Sequence, residues 1–132
     1  MDQTLLLIKP NATQKKLTGK ILTIIEENGF AIKGIKSLQM DTNLASRFYE
    51  IHKQKAFFQL LLDFMTSGIT IAVILEKENA ITDLRTLVGD TNPDKANIGT
   101  IRYLYADSVT KNAVHASDSI DNANKEIKII FN

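Results

Sequence analysis

The residues with the clearest chemistry in this 132-residue chain are in the stretch Asn112-Ala113-Val114-His115-Ala116-Ser117-Asp118-Ser119. Ala113 and Val114 are small and apolar and suit the end of a buried strand, and Ser117-Asp118-Ser119 is a cluster that caps helix N-termini. The spacing predicts a strand-to-helix corner that carries His115. In α/β folds such a corner faces the crevice where ligands bind, and the free N–H groups opening a helix favour an anion there. A phosphate beside His115 is well placed. Its charge calls for cations, and the chain has thirteen lysines but only three arginines, Arg47, Arg85 and Arg102. Arg85 and Arg102 flank a long loop. A planar guanidinium binds phosphate in bidentate fashion, although a single arginine is as readily a solvated surface charge.

Several elements must position these groups. Thr4 to Ile8 is a short apolar run ended by Lys9-Pro10, which predicts a central strand covered on both faces with Lys9 at its carboxyl end. After a loop at residues 11–13, Leu17, Ile21, Ile24 and Ile25 mark one helix face, with Gly29 as the residue beyond its end. Phe30 to Met40 alternates as a second strand with Phe30, Ile32, Leu38 and Met40 on one face, interrupted near Gly34-Ile35. Asp41 or Thr42 caps a helix with Leu44, Phe48 and Ile51 inward, and a second, more apolar helix runs from Ala56 to Met65. Ile69 to Leu75 is β-branched and apolar on both faces, a central strand. Asn79 to Val88 reads as a helix with Ile81, Leu84 and Val88 inward.

Residues 89–99 have turn chemistry without periodicity, and a loop of that length inside a compact domain is usually functional. A short helical turn at residues 100–104, the His115 corner and a closing helix with Ile120, Ala123, Ile127 and Ile130 complete the chain. Residues 126–131 also fit a strand; the Ser-Asp-Ser cap favours helix. With the helical hairpin and the loop removed, the order reduces to βαββαβ, the ferredoxin-like α+β plan of an antiparallel sheet covered by helices.

At this length the chain is expected to form one domain over residues 1–132. Hydrophobic residues at 44% and charged residues at 23% are ordinary for a soluble globular protein. A formal net charge of +1 excludes the field of a dedicated nucleic-acid or membrane-surface binder, so any anion site is local. Cysteine is absent, which excludes disulfides and thiolate metal sites. The N-terminal Met-Asp-Gln-Thr has no basic region, and the apolar run after it is too short for a signal or a membrane span. These features suggest a cytoplasmic protein.

The stretch around His115 resembles the Asn-x-x-His-Gly-Ser-Asp-Ser signature of the nucleoside diphosphate kinases, with Ala116 where the family usually has glycine. The likeness runs the length of the chain, through Ile8-Lys9-Pro10-Asn11, Phe48-Tyr49-Glu50-Ile51-His52, Ala56-Phe57-Phe58, Gly89-Asp90-Thr91-Asn92-Pro93, Gly99-Thr100-Ile101-Arg102 and Lys125-Glu126-Ile127. It implies a ping-pong enzyme that moves the γ-phosphoryl group from a nucleoside triphosphate to a nucleoside diphosphate through phospho-His115. Such chemistry splits one transfer into two easier ones and leaves the protein to position groups and neutralise charge.

Carried over by position, the resemblance makes His115 the nucleophile, with Lys9 neutralising phosphate oxygens and touching the sugar. Arg85, Thr91 and Arg102 take the β- and γ-phosphates, and Asn112 the ribose. Phe57 stacks on the base, Val109 packs near it, and Tyr49 orients the lysine. Glu126 holds the second imidazole nitrogen, with Ser117 bridging to it. The helix spacing agrees, since Glu126 falls two turns beyond the His115 corner. Mg²⁺ is expected to be held mainly by the nucleotide, and the protein to be a homo-oligomer, a tetramer or hexamer built from dimers.

Ordinary structural roles stand beside these: Phe57 as core, Tyr49 as a surface residue, Thr91 as a turn residue, Asp118 as a helix cap. His52, without ligand-spaced partners, reads as structural. Ala56, Ile98, Tyr103 and Leu104 depart from the residues common in the family. A non-catalytic nucleotide-binding or protein-interaction module on the same fold, or a phosphohistidine relay, is the competing reading; the complete set of Lys9, Arg85, Arg102, Asn112 and His115 argues against both.

Overall fold

The computed structural model describes residues 1–131. Its elements are β1 (Asp2–Ile8), α1 (Pro10–Gln14), α2 (Thr18–Glu27), β2 (Ala31–Leu38), α3 (Thr42–Phe48), α4 (Phe58–Met65), β3 (Thr70–Lys77), α5 (Ala80–Val88), α6 (Ile101–Tyr105), β4 (Val114–Ala116) and α7 (Ile120–Phe131), with 3₁₀ turns at Glu50–His52 and Pro93–Lys95. The strands form one antiparallel sheet in the order β2-β3-β1-β4. Interleaving of this kind is the ferredoxin-like plan expected from the element order.

The apolar runs of β1 and β3 occupy the two central positions because both of their faces are covered. Leu6 and Ile8 enter one core with Ile21 and Ile25 of α2 and Leu84 and Val88 of α5. Leu5 and Leu7 enter the other with Phe48 of α3, Leu62 and Met65 of α4 and Ile130 of α7. Each fully buried leucine contributes about 2 kcal/mol of hydrophobic stabilisation, so β1 anchors both layers. Leu7 pairs with His115 in the sheet. Paired residues share a face, and the His115 side chain therefore emerges on the α3–α4–α7 side.

The structure corrects the sequence reading in several places. Residues 11–13 are helical: Pro10, which ends β1, sits at the first position of α1, where its fixed φ and missing N–H are tolerated. The irregularity in β2 is a register shift between Ile32 and Gly34. One extra residue inverts the alternation, so Phe30 and Ile32 pack in the first core while Leu38 and Met40 pack in the second. They do not share a face.

Ile51 lies on the 3₁₀ turn and is 74% exposed, because the chain leaves helix α3 at Phe48 and the i+7 position no longer points inward. Ile120 is also exposed, at the first turn of α7, and Ile81 is only half-buried, with Ala80 taking its inward place. The second helix of the hairpin begins at Phe58 rather than Ala56. Residues 126–131 are helical. Ser119 supplies the cap, its Oγ accepting the Asn122 N–H at 3.0 Å, whereas Asp118 holds the Asn122 side-chain amide at 2.6 Å.

Candidate active site

His115 is the middle residue of β4, and α7 starts five residues later, so the turn between them folds Glu126 back beside the imidazole. Its Nε2 lies 2.9 Å from Glu126 Oε1. The Ser117 hydroxyl donates to the same oxygen at 2.6 Å. A carboxylate accepts only, so Nε2 carries the proton and the lone pair is on Nδ1. Among the described residues Nδ1 makes no hydrogen bond. Phe48 packs edge-on against the imidazole with ring centres 5.1 Å apart, and Tyr49 does the same at 6.3 Å. Three partners thus fix the ring plane.

The segment leading into β4 also orders the cations. Ala113 has φ +75°, and the Val114 N–H donates across it to the Asn112 carbonyl at 2.9 Å, a strained three-residue γ-turn. On either side of that turn the chain offers acceptors. The Ala113 carbonyl takes the Lys9 backbone N–H at 2.8 Å, and Asn112 Oδ1 takes the Lys9 ammonium at 2.9 Å. The Val114 carbonyl accepts from Arg102 Nη2 at 2.9 Å, and the Ala116 carbonyl from Arg85 Nη1 at 3.1 Å. Arg102 Nη1 also donates to the Gly89 carbonyl at 2.9 Å, which ties α6 to the end of α5. The residues at Tyr103 and Leu104 are half-exposed and take no part in orienting Arg102, which rests on backbone carbonyls instead. Asn112 Nδ2 reaches the Thr91 carbonyl at 3.3 Å, joining the long loop to the same point.

Burial, and after it the crowding of like charges, shows in the acidities. Burial, and secondarily the Arg102 guanidinium, lower the Lys9 ammonium to about 7. Burial and then Arg85 lower Arg102 to about 10. The Tyr49 phenol is pushed up by burial and by the Glu126 carboxylate, so it is neutral, and its hydroxyl is buried without a protein partner. Cations packed together at the cost of their own charge are a site waiting for an anion.

These groups surround a cleft of about 900 Å³. Every residue singled out from the sequence lines it except Ser117, which reaches it through Glu126. Phe57, 44% exposed, and Val109, 53% exposed, stand at its mouth, so neither is core. Tyr49 is buried rather than on the surface. No group of three His, Cys, Asp or Glu side chains able to hold a metal ion is present among the described residues.

A profile of the family described as "Nucleoside diphosphate kinase" matches residues 2–132. The chain belongs to this family. The nucleoside diphosphate kinase of Nitratiruptor sp. is 47% identical over 131 residues, 99% of this chain and 96% of the relative, and that of Wolinella succinogenes is 48% identical over the same lengths. The crystal structure of the Aquifex aeolicus nucleoside diphosphate kinase superposes with a TM-score of 0.96 at 39% identity, covering 99% of this chain and 95% of that one. Membership makes the protein an enzyme, a nucleotide-binding kinase of ferredoxin-like fold.

Sequence reasoning did not single out Phe48, Asn122, Lys125 and Ile129, which also line the cleft. For α7 a signal was available: Asn122, Glu126 and Ile129 recur at i, i+4 and i+7, a second face beside the buried stripe of Ala123 and Ile130. Phe48 was read as core, and it is buried as well as in contact with His115. His52 borders the cleft between the rings of Tyr49 and Phe57.

Proposed function

We propose that the protein transfers the γ-phosphoryl group of a nucleoside triphosphate to a nucleoside diphosphate by a ping-pong route through phospho-His115. The observation that carries this reading is the Nε2 contact to Glu126, which leaves the Nδ1 lone pair of His115 facing the cationic cleft. In the first half-reaction Nδ1 forms a bond to the γ-phosphorus as the bond to the bridging oxygen breaks, and the electron pair leaves on the diphosphate. In the second the diphosphate of another nucleotide attacks phospho-His115, and the imidazole departs with its lone pair restored. Glu126 compensates the charge that develops on the ring, and Ser117 orients Glu126.

Lys9, Arg85 and Arg102 neutralise the phosphate oxygens, the Thr91 hydroxyl and Asn112 bind the phosphate and ribose, and the base lies between Phe57 and Val109. Asn112 rather than Tyr49 orients Lys9, and Tyr49 braces the His115 ring edge-on. Stacking on an aromatic ring tolerates every base, because each presents a π-face. Among the described residues no cluster of carboxylates or histidines would hold Mg²⁺, so it would be carried by the substrate's phosphates, where it would supply further neutralisation of their charge beside Lys9, Arg85 and Arg102.

Residues 1–132 act as one catalytic domain in this reading, in the cytoplasm, as a homo-oligomer, a tetramer or hexamer built from dimers. An edge position for β2 and the 55% exposure of its Ile35 support a subunit contact there. Among the described residues no helix is long and apolar enough to cross a membrane.

The test is formation of GTP from ATP and GDP by the purified protein with Mg²⁺, and its loss in His115→Ala while ADP still binds. An active His115→Ala protein contradicts the assignment.

A further inference from the structure

Phe57 presents the ring on which the base is read above, yet little in its backbone fixes that ring. It lies at the N-cap position of α4, where no side chain caps the helix. The chain before it is a succession of tight turns, in which the Lys55 N–H donates to the His52 carbonyl at 2.9 Å and the Phe58 N–H to the Lys55 carbonyl at 3.1 Å. Ala56 allows a freedom of φ that a proline would remove. What lies against the ring is chemical: His52, with ring centres 5.6 Å apart and a 53° tilt, and the Lys55 ammonium 5.6 Å from the ring centre. His52 in turn stacks on Tyr49 at 6.5 Å and 27°, and Tyr49 meets His115 edge-on. Four rings therefore run without a gap from the mouth of the cleft to the nucleophile.

We propose that His52 is a positioning residue for the reaction, an aromatic wedge that braces the Phe57 ring against the buried Tyr49 so that the base platform is formed before the nucleotide arrives. This rests on the reading of Phe57 as the base-stacking ring. The imidazole suits the task because it is flat and, at neutral pH, uncharged. Burial and its cationic neighbours Lys55 and Lys9, with His115, oppose its protonation, and only Asp118 favours it. Its Nδ1 is buried without a partner, so the ring is held by packing rather than by a hydrogen bond. A preformed platform lowers the ordering cost of binding and leaves the chemical step alone, so His52 acts on KM and not on kcat.

The experiment compares the native protein with His52→Ala, His52→Asn, His52→Phe and Phe57→Ala. Steady-state KM and kcat for ADP and GDP are measured alongside the rate at which phosphoramidate, a donor without a base, phosphorylates His115. Loss of one aromatic contact is expected to raise KM in His52→Ala and His52→Asn roughly three- to tenfold. Their kcat and the phosphoramidate rate stay within about twofold of native, and His52→Phe recovers the native KM. Asparagine keeps a polar group and the backbone environment, so it carries the result if the alanine variant folds poorly. An unchanged KM in the His52 variants beside a raised KM in Phe57→Ala overturns the proposal and leaves the base platform standing. An unchanged KM in Phe57→Ala removes the platform itself. A phosphoramidate rate that falls in step with kcat assigns His52 to the nucleophile and also overturns the proposal.

Discussion

Glu126 Oε1 accepts two hydrogen bonds, from His115 Nε2 at 2.9 Å and from Ser117 Oγ at 2.6 Å, and so couples the last strand and the turn after it to the last helix. The carboxylate fixes which imidazole nitrogen carries the proton. Glu126→Gln keeps the shape and loses the charge. Removing such an outer partner typically costs 10- to 100-fold. A fall of about that size in the single-turnover rate of His115 phosphorylation is expected, with nucleotide affinity nearly unchanged. His115→Ala should remove phosphorylation altogether, and a Glu126→Gln protein as inactive as His115→Ala would show that the carboxylate does more than orient the ring.

A second expectation follows from Lys9. Its ammonium is lowered to about 7, chiefly by burial. In the free protein it is therefore mostly neutral at pH 8.5. Phosphate oxygens beside it favour the charged form and restore the ordinary value near 10. Binding of ADP at pH 8.5 should take up close to one proton, falling toward zero at pH 6 where Lys9 is already charged. Calorimetry in buffers of different ionisation enthalpy reads this directly. Proton release on binding at pH 8.5 would have the wrong sign.

The ferredoxin-like plan and the grouping of most candidate site residues around one cleft were legible in the sequence, for different reasons. Leu5 to Ile8 announces a central strand because four consecutive apolar residues need cover on both faces. The cations and His115 were found by residue type and motif. An interruption of β2 near Gly34-Ile35 was legible, but the inversion it causes was not, since Phe30, Ile32, Leu38 and Met40 have even spacing and read as one face. The γ-turn at Ala113 was equally hidden, because alanine carries no preference for φ +75° and only the surrounding contacts hold it there.

Lys33 thus has a register role that its exposed side chain does not suggest. Deleting it would turn either Leu38 or Ile32 away from its own core toward the opposite face, since a one-residue slip exchanges the faces of a strand. The deletion is expected to lower the urea midpoint severely, whereas Lys33→Ala, which breaks only a surface pair with Glu76 at 3.7 Å, should change stability by less than about 1 kcal/mol. Equal effects of the two changes would refute the register role.

Gly89 joins backbone strain to the site. Its φ is +91°, a Cβ there would meet Thr100 Oγ1 at 2.5 Å, and its carbonyl holds Arg102. Gly89→Ala is expected to cost more than about 1 kcal/mol of stability and to raise the KM for nucleoside diphosphates, since the cap of α6 and the guanidinium move together. Thermal unfolding and steady-state kinetics on one preparation check both. A shift in stability with an unchanged KM would separate Arg102 from the loop.

The central claim is a covalent phosphoryl intermediate on His115, and intact mass measures it most directly. The protein is mixed briefly with ATP and Mg²⁺ at mildly alkaline pH, where phosphohistidine survives, and weighed. The account expects the mass of one phosphoryl group to appear, to be absent in His115→Ala, and to vanish on addition of GDP as GTP forms. No added mass under conditions where ATP binds, or added mass that persists in His115→Ala, would contradict it.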